Sequence, residues 1–268
     1  MESPLLPPRP HDSHKALFGR VGIVGGAPGM VGAALLAGRA ALKCGAGLVT
    51  LGVLDETVRI DFSAPELMFA PPDKLAIDPG LTVLAIGPGL GQTRAAFELL
   101  EAALRHLAPL VVDADALNCL AQRAELARLC ATRTAPTLLT PHPGEAARLL
   151  NTHIDAIQSN REKAARELAA KFNAWVVLKG AGSSLARPDG TTLHNETGNP
   201  ALSAPGMGDV LTGILAAFLT RLEAWEALRR AVWLHGQAAD DAVAERLGPE
   251  GLTASELIEC VRRRLNAF

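Results

Sequence analysis

The sequence predicts an α/β fold in which a mainly parallel central sheet carries helices on both faces. First, a strand at Arg20–Gly25, an alanine-rich helix at 31–44 and a strand at 48–54 follow one another, and such strand–helix–strand units build parallel sheets. Second, 49% of the 268 residues are hydrophobic, which is enough for one large core. Third, most apolar runs end in glycines or polar residues, as strands do at a ligand-binding edge.

The remaining elements continue this alternation. Further strands are predicted at 81–86, Leu110–Val112, Thr137–Leu139 and Trp175–Leu178, and helices near 95–107, 120–131, 158–172, 225–246 and 253–265. Strands at 184–187 and 191–195 form a predicted hairpin, because Pro188-Asp189-Gly190 between them is a turn sequence. No repeat or linker interrupts the rest, so we expect one domain over 14–268 after a loose, proline-rich arm at 1–13.

Composition excludes several classes of function. The formal net charge is −2 and no cluster of lysines or arginines occurs, so nucleic acid is not an expected partner. The four cysteines are far apart and never form Cys-x-x-Cys, which indicates neither a zinc site nor disulfides but a reducing cytoplasm. No apolar run reaches membrane-spanning length, and the first residues lack the apolar core of a signal peptide.

Chemically capable residues recur directly after the predicted strands. They are 87–91, Asp113, Asp115 and Asn118, His142 and Glu145, 179–182, and 206–209. Because parallel strands present their carboxyl ends at one edge of the sheet, and ligands bind at that edge, we expect these segments to meet in one cleft. The expectation rests on topology and on no single motif.

The segment 206–209 predicts an anion site. Apolar pairs recur every four residues at Val210/Leu211, Ile214/Leu215 and Phe218/Leu219. A helix therefore begins near Gly206 and Gly208, where the free N–H groups and the helix dipole attract anions. Asp209 adds a negative charge there. It is either the base for a hydroxyl that is being phosphorylated or an ordinary helix cap, and the local pattern leaves both open.

Other local signals are weaker. No P-loop occurs, and no Gly-x-Gly-x-x-Gly follows the first strand. Asp113 and Asp115 could hold a metal through water or cap the next helix. His142 stands between two prolines that fix its backbone, which favours a placed side chain, although a structural histidine remains possible. His14, His194 and His235 carry less signal.

Several motifs together identify a family. In order they are Gly45-Ala-Gly-Leu-Val, Ile86-Gly-Pro-Gly-Leu-Gly91, Asp113-Ala-Asp-Ala-Leu-Asn118, Thr140-Pro-His-Pro-Gly-Glu145, Leu178-Lys-Gly-Ala-Gly182, Gly206-Met-Gly-Asp-Val-Leu-Thr-Gly213 and Leu234-His-Gly-Gln-Ala-Ala-Asp240. They resemble the ADP-dependent NAD(P)H-hydrate dehydratase family of the ribokinase-like superfamily over about residues 14–240. The resemblance implies a three-layer ribokinase-like sandwich and a single dehydratase domain at 14–268. It also implies the stand-alone form without an epimerase domain, since few residues precede the motifs.

The resemblance implies a repair reaction. Hydrated NADH or NADPH, the (S)-NADHX or NADPHX substrate, carries an extra hydroxyl on C6 of its nicotinamide ring. The family phosphorylates that hydroxyl from ADP, or ATP, with Mg²⁺, and phosphate then leaves. Members commonly form homotetramers, so a homo-oligomer is expected here.

The resemblance also assigns roles to residues of this sequence. Asp209 is the implied base and a substrate contact, and the amides around Gly206 and Gly208 hold the moving phosphate. The implied ADP contacts are Lys179, Gly180, Ala181, Gly182, Ser183 and Gly208; the implied contacts to the hydrated dinucleotide are Ala33, Gly89, His142 and Asp209; and Glu145 is an implied magnesium contact through water. Pro205 departs from the family, which more often has Gly or Ala there, and proline removes one amide donor.

Two rival functions remain open at this stage. A ribokinase-like small-molecule kinase, of the hydroxyethylthiazole or pyridoxal type, would use the same Gly-x-Gly-Asp site and release a stable phosphorylated product. A nucleotide sensor with a decayed site is a second possibility, against which the retained Asp209 and glycine loop speak. The sequence does not distinguish ADP from ATP, or NADHX from NADPHX.

Overall fold

The computed structural model describes residues 5–267, which form nine strands and eleven α-helices. The strands are β1 Arg20–Gly25, β2 Leu48–Val53, β3 Met68–Phe69, β4 Val83–Ile86, β5 Leu110–Val112, β6 Thr137–Leu139, β7 Trp175–Leu178, β8 Ser183–Ala186 and β9 Thr192–Asn195. The helices are α1 Val31–Lys43, α2 Pro72–Leu75, α3 Arg94–Arg105, α4 Ala114–Gln122, α5 Ala124–Ala131, α6 Pro143–Leu150, α7 Ile154–Ser159, α8 Arg161–Phe172, α9 Met207–Leu219, α10 Ala224–Ala244 and α11 Ala254–Leu265.

The sheet has the predicted character. Its order is β3-β2-β1-β4-β5-β6-β7-β8-β9, parallel from β3 to β7 and antiparallel through the β8–β9 hairpin. Within β4, Val83 and Ala85 join one hydrophobic cluster, while Leu84 and Ile86 join another. Since successive side chains of a strand point to opposite faces, the two clusters lie on opposite sides of the sheet. The mainly parallel sheet with helices on both faces is therefore confirmed.

Several elements differ from the prediction. The segment predicted as one helix at 120–131 is two helices, and α4 begins already at Ala114, directly after the strand. The helix predicted at 158–172 is broken at Asn160, whose side chain accepts a hydrogen bond from the Lys163 amide and starts α8. The sequence also missed α6, because its opening Pro143-Gly pair is typical of turns; proline is nevertheless favourable at the first helical position. The short β3 and α2 were not predicted either.

The described part of the predicted arm lies along the domain. Residues 5–13 form neither helix nor strand, but Leu5 and Leu6 pack against the hydrophobic core. The Leu5 carbonyl accepts a hydrogen bond from Arg230 at 2.8 Å, and Arg9 donates to the Gly45 carbonyl at 2.6 Å. Residues 1–4 of that arm lie outside the described residues.

Helix α9 is surrounded by protein on all sides. Eleven of its residues, including Val210 and Phe218, are buried. It packs between α1, α10 and the sheet, which explains an apolar character that extends around the whole helix. Such a helix is a core element, and within residues 5–267 no helix combines the length and apolarity that crossing a membrane requires.

The contact between α1 and α9 sets the position of α9. A Cβ added at Gly213 would lie 2.1 Å from the Ala37 carbonyl oxygen, so the two backbones are in direct contact there. Around it, Ala34, Ala40 and Ala41 are fully buried, as the small residues of α1 had indicated. Because α9 carries Asp209 in its first turn, this contact also fixes the depth at which that carboxylate sits.

We expect Gly213→Ala to destabilise the fold. The new methyl group would overlap a backbone oxygen that cannot move without displacing α1, and overpacking of this kind costs about 1–3 kcal/mol. Gly32→Ala is the matched control, since Gly32 is also helical but a Cβ there meets nothing within 4 Å. It should be neutral or stabilising by up to about 1 kcal/mol. Urea unfolding of both variants tests this, and equal stabilities would contradict the packing described.

Candidate active site

Asp113 joins four parts of the fold at the carboxyl edge of the sheet. Its Oδ1 accepts hydrogen bonds from Lys179 Nζ at 2.9 Å and from the Thr140 hydroxyl at 2.6 Å, and its Oδ2 accepts one from the Thr212 hydroxyl at 2.7 Å. The ends of β5, β6 and β7 therefore meet the first turns of α9, as the topology predicted. Asp113 precedes α4 but makes no capping hydrogen bond from its side chain, so the capping interpretation was wrong.

Asp113 and Lys179 form a charged pair in which the carboxylate is buried and the lysine side chain is 21% exposed. Asp113 is 1% exposed. Burial alone would raise its pKa, but Lys179 and the two hydroxyl donors together hold that pKa below its usual range. Burial would likewise lower the pKa of Lys179, yet the carboxylates of Asp113 and Glu145 outweigh it and raise this pKa. Lys179 therefore remains an ammonium ion inside the protein.

Asp209 lies in the first turn of α9 and is not its cap. The N-cap is Gly206, with φ +85°, and no side chain caps the helix. Burial, and then the negative charge of Asp113, raise the pKa of Asp209 to about 7, while Lys179 opposes the shift and Asp115 adds to it. A carboxylate with a pKa near neutrality is suited to accept a proton. The capping interpretation is thus wrong, and the alternative of a base keeps its geometric support.

Pro205 leaves the anion site intact. In α9 the first amides without a partner in the helix are those of Met207, Gly208 and Asp209, since the Val210 amide already bonds to the Gly206 carbonyl. Pro205 precedes the N-cap, so its missing N–H removes none of these donors. Proline in place of the family's more usual Gly or Ala therefore removes no amide donor from the first turn of α9.

A cavity of about 510 Å³ opens beside this turn. It is lined by every residue predicted to contact ADP, namely Lys179, Gly180, Ala181, Gly182, Ser183 and Gly208. A Cβ added at Gly208 would lie 3.2 Å from Lys179 Nζ, so the ammonium and the start of α9 share one corner of the cavity. A cation, a glycine loop and free helix amides together are suited to a polyphosphate.

The opposite wall of the cavity was missed by the sequence analysis. It includes Thr197, Asn199 and His235. Asp240 holds this wall, because its carboxylate accepts hydrogen bonds from the Gly198 amide and the Asn199 side chain, both at 2.9 Å. His235 and Asp240 occur in the last family motif quoted above, but their position along the chain gives no hint that they lie near the glycine loop.

His235 connects this wall to α9. Its Nε2 lies 2.9 Å from the Met207 carbonyl oxygen, so that ring nitrogen carries the proton and donates. Burial lowers the pKa of His235 to about 4, and the ring is therefore neutral at physiological pH.

Arg161 supports the glycine loop from behind, and it too was missed. At the start of α8, it donates to the Leu178 carbonyl at 3.0 Å and to the Ala181 carbonyl at 3.1 Å. A Cβ at Gly180 would lie 2.4 Å from Arg161 Nη1, so the loop backbone passes directly over the guanidinium. The φ of +150° at Gly180 favours glycine at this position.

Ala33 and Gly89 lie away from the cavity and next to each other. A Cβ at Gly89 would come within 3.2 Å of the Ala33 methyl group, and neither residue lines the cavity. Close by, the Gly91 amide donates to Asp115 at 2.9 Å, and Asp115 is also close enough to raise the pKa of Asp209. Asp209 thus lies within electrostatic range of both regions.

Known proteins resemble this chain over most of its length. The family model described as NAD(P)H-hydrate dehydratase matches residues 21–263. An ADP-dependent (S)-NAD(P)H-hydrate dehydratase from Neisseria meningitidis is 42% identical, over 95% of this chain and 87% of its own length.

The chain belongs to the NAD(P)H-hydrate dehydratase family.

Longer relatives and solved structures match as well. A bifunctional NAD(P)H-hydrate repair enzyme from Moorella thermoacetica is also 42% identical, and the chain spans about half of it, 50% of its length. The Bacillus subtilis ADP/ATP-dependent dehydratase, crystallised with ATP and Mg²⁺, superposes with a TM-score of 0.84 at 35% identity, covering 97% of this chain and 93% of that one. A ribokinase-like superfamily protein from Enterococcus faecalis gives 0.84 at 27% identity, covering 97% and 91%. The ribokinase-like fold is thus confirmed.

His142 lines the same cavity as the residues predicted to contact ADP, whereas Ala33 and Gly89 do not line it. Its Nδ1 accepts from the Gly144 amide at 2.9 Å, and its own amide donates to Glu145 at 2.8 Å, which forms a capping box at the start of α6. The structural role is therefore present, and a contact to the hydrated dinucleotide stays a prediction.

Glu145 is the residue to which the family resemblance assigns a magnesium contact through water. It is buried, and burial raises its pKa to about 7 although Lys179 opposes the shift. Among residues 5–267 no group of three or more His, Cys, Asp or Glu side chains could hold a metal ion. A single carboxylate such as Glu145 is compatible with Mg²⁺ bound mainly through nucleotide phosphates and water, as this ion commonly is.

We expect Lys179→Ala to destabilise the dehydratase as well as weaken ADP binding. The substitution leaves the Asp113 carboxylate buried without its counter-ion, which costs roughly 3–5 kcal/mol. The double variant Lys179→Ala, Asp113→Asn is the control; it removes both charges and should recover part of that loss. Urea unfolding of the two single variants and the double variant measures the coupling free energy. Additive effects would contradict a direct ion pair.

Proposed function

We propose that this protein catalyses the ADP-dependent dehydration of (S)-NADHX and NADPHX to NADH and NADPH. The observation that carries the proposal is the position of Asp209, a carboxylate with its pKa raised to about 7 in the first turn of α9. It follows Gly208, which lines the cavity that we assign to ADP. A base next to an anion site is what the phosphorylation of a hydroxyl requires.

In the first step the terminal phosphoryl group of ADP moves to the substrate. Asp209 accepts the proton of the C6 hydroxyl, and that oxygen attacks the terminal phosphorus. The bond from this phosphorus to its bridging oxygen breaks, and AMP leaves with the electron pair. The amides of Met207 and Gly208 point to where negative charge develops, and Lys179 faces it from the side.

In the second step the phosphate leaves and the ring is restored. The C6–O bond breaks with its electron pair going to phosphate, assisted by the lone pair of the ring nitrogen. One of the two protons on C5 is then released to water, and its electron pair re-forms the double bond between C5 and C6. Phosphorylation is useful because hydroxide is a poor leaving group and phosphate is a good one. The products are NADH or NADPH, AMP and inorganic phosphate.

The cofactor and the assembly are part of the same proposal. Mg²⁺ would offset charge on the transferring phosphates, with Glu145 reaching it through water. We also propose that the protein is a homotetramer in the cytoplasm. Light scattering would test the assembly, and we expect the mass of four chains. Exposed apolar side chains support an association surface, among them Phe62, which is 88% exposed, and Ile60, which is 48% exposed.

The function is tested by incubating the purified protein with NADHX and ADP. We expect absorbance at the NADH wavelength to recover, with one AMP and one phosphate formed for each NADH. ATP in place of ADP, and NADPHX in place of NADHX, establish the preferences. A phosphorylated product that accumulates without NADH would favour a small-molecule kinase. ADP binding without turnover of NADHX or NADPHX would favour a sensor.

Asp209→Asn should abolish most of the turnover and leave the fold intact. The substitution keeps the shape of the side chain, and Asp209 makes no capping hydrogen bond that could be lost, so stability should change by less than about 1 kcal/mol. Turnover should fall by roughly 10²–10⁴, the usual contribution of a general base. ADP binding should persist or tighten, because a negative charge near phosphate is removed.

Asp155→Asn is the matched control, since Asp155 is an exposed acidic residue in the first turn of another helix, α7. It should retain wild-type turnover. Steady-state kinetics and calorimetric ADP titration of both variants provide the comparison. An active Asp209→Asn enzyme would rule out the base.

A further inference from the structure

Asp113 is the most buried carboxylate near the site, and the reaction steps above leave it without a task. Its 1% exposure keeps it from both substrates, so it is not a base. Yet it accepts three hydrogen bonds from side chains on three separate elements, Thr140, Lys179 and Thr212. Burying a carboxylate is costly, and a simple core position would be occupied by an apolar residue at lower cost.

The first consequence concerns Lys179. A lysine side chain is long and flexible, and its ammonium has no preferred direction of its own. Here Asp113 holds Nζ at 2.9 Å, and the same Nζ would be 3.2 Å from a Cβ on Gly208. The ammonium is therefore fixed beside the first turn of α9, where the phosphoryl group passes.

The second consequence concerns α9. Thr212 follows Asp209 by three residues, so the two side chains lie on the same face of the helix, one turn apart. The hydrogen bond from Thr212 to Asp113 Oδ2 therefore sets the rotation of α9 relative to Lys179. Ala114, the next residue in the chain, has φ +48°, an unfavourable backbone conformation for a residue other than glycine. The backbone is therefore strained directly after Asp113.

We propose that Asp113 is a positioning residue for phosphoryl transfer, holding the Lys179 ammonium with one carboxylate oxygen and the Asp209-bearing helix with the other. This proposal rests on the proposed function. Asp113 touches neither substrate; it acts by keeping the cation and the base in one arrangement. Misplacement of such groups by about 1 Å costs roughly 10²-fold in rate.

The negative charge of Asp113 also affects the pKa of Asp209. Charged and titratable groups from several neighbouring elements surround this corner: Asp113 after β5, Asp115 on α4, His142 and Glu145 at the start of α6, Lys179 after β7 and His235 on α10. Burial is the largest cause of the raised pKa of Asp209, and the Asp113 charge is the next. A base must be ionised, so activity rises with pH through its pKa. Removing the Asp113 charge lowers that pKa, and this rise moves to lower pH.

Asp113→Asn tests the proposal. The amide can keep one hydrogen bond, but the charge pair with Lys179 is lost. We expect kcat to fall roughly 10²-fold, while ADP binding is retained or tightened because the lysine charge is no longer neutralised. The acidic limb of the kcat/KM profile should move down by about one pH unit. If Asp113 were merely structural, ADP binding would fall together with kcat and the limb would stay in place; this result, or wild-type turnover, would overturn the proposal.

Thr212→Val provides a second, milder variant. It removes the bond from α9 to Asp113 but leaves the charge pair, so kcat should fall with the acidic limb unmoved. Wild-type turnover in this variant would contradict the tether to α9.

Carboxyl ¹³C NMR titration measures the pKa of Asp209 in the wild type and in Asp113→Asn without substrates. It therefore distinguishes a failure of this proposal from a failure of the proposed function. A wild type that binds ADP but fails to convert NADHX would refute the proposed function. An unshifted Asp209 titration would refute the role of Asp113 even in a fully active enzyme.

Discussion

The ion pair between Asp113 and Lys179 is the contact that organises this site. It joins the ends of β5 and β7 at 2.9 Å and, through Thr212, adds α9 to the same cluster. A buried charge pair contributes little net stability, because desolvation offsets most of the attraction, but loss of one partner is severe. The pair therefore constrains the geometry strongly: the strand ends, the lysine and the helix with Asp209 can occupy only one arrangement without leaving a charge unpaired.

Asp209 lies near two unlike regions. One is the cavity of about 510 Å³ with the glycine loop, and the other contains Ala33, Gly89 and Asp115. Burial, with the charge of Asp113 adding to it, raises the pKa of Asp209 to about 7, and the excess of carboxylates over cations at this point favours a divalent cation arriving with the nucleotide. Under the proposed function, a phosphoryl donor in the cavity and an acceptor hydroxyl near Ala33 and Gly89 would meet at this carboxylate.

The sequence predicted those features that depend on neighbours in the chain. Buried strands are short apolar runs, and the start of α9 is marked by Gly206 and Gly208, so the sheet and the anion site could be located. Contacts between distant residues could not, because nothing local in Asp113 or Lys179 shows that they pair 66 positions apart. For the same reason Asp240 and Arg161, which shape the cavity from other helices, escaped notice. His142 was found, but its capping role depends on a helix that the Pro-Gly pair concealed.

The fate of the substrate oxygen tests the central claim most directly. NADHX prepared in H₂¹⁸O carries the label on its C6 hydroxyl, and phosphorylation of that hydroxyl must transfer the label to phosphate when the C6–O bond breaks. We predict that one ¹⁸O appears in inorganic phosphate for each NADH formed, as measured by mass spectrometry or by the isotope shift in ³¹P NMR. Label released into water, with unlabelled phosphate, would show that the hydroxyl leaves without phosphorylation and would contradict this account.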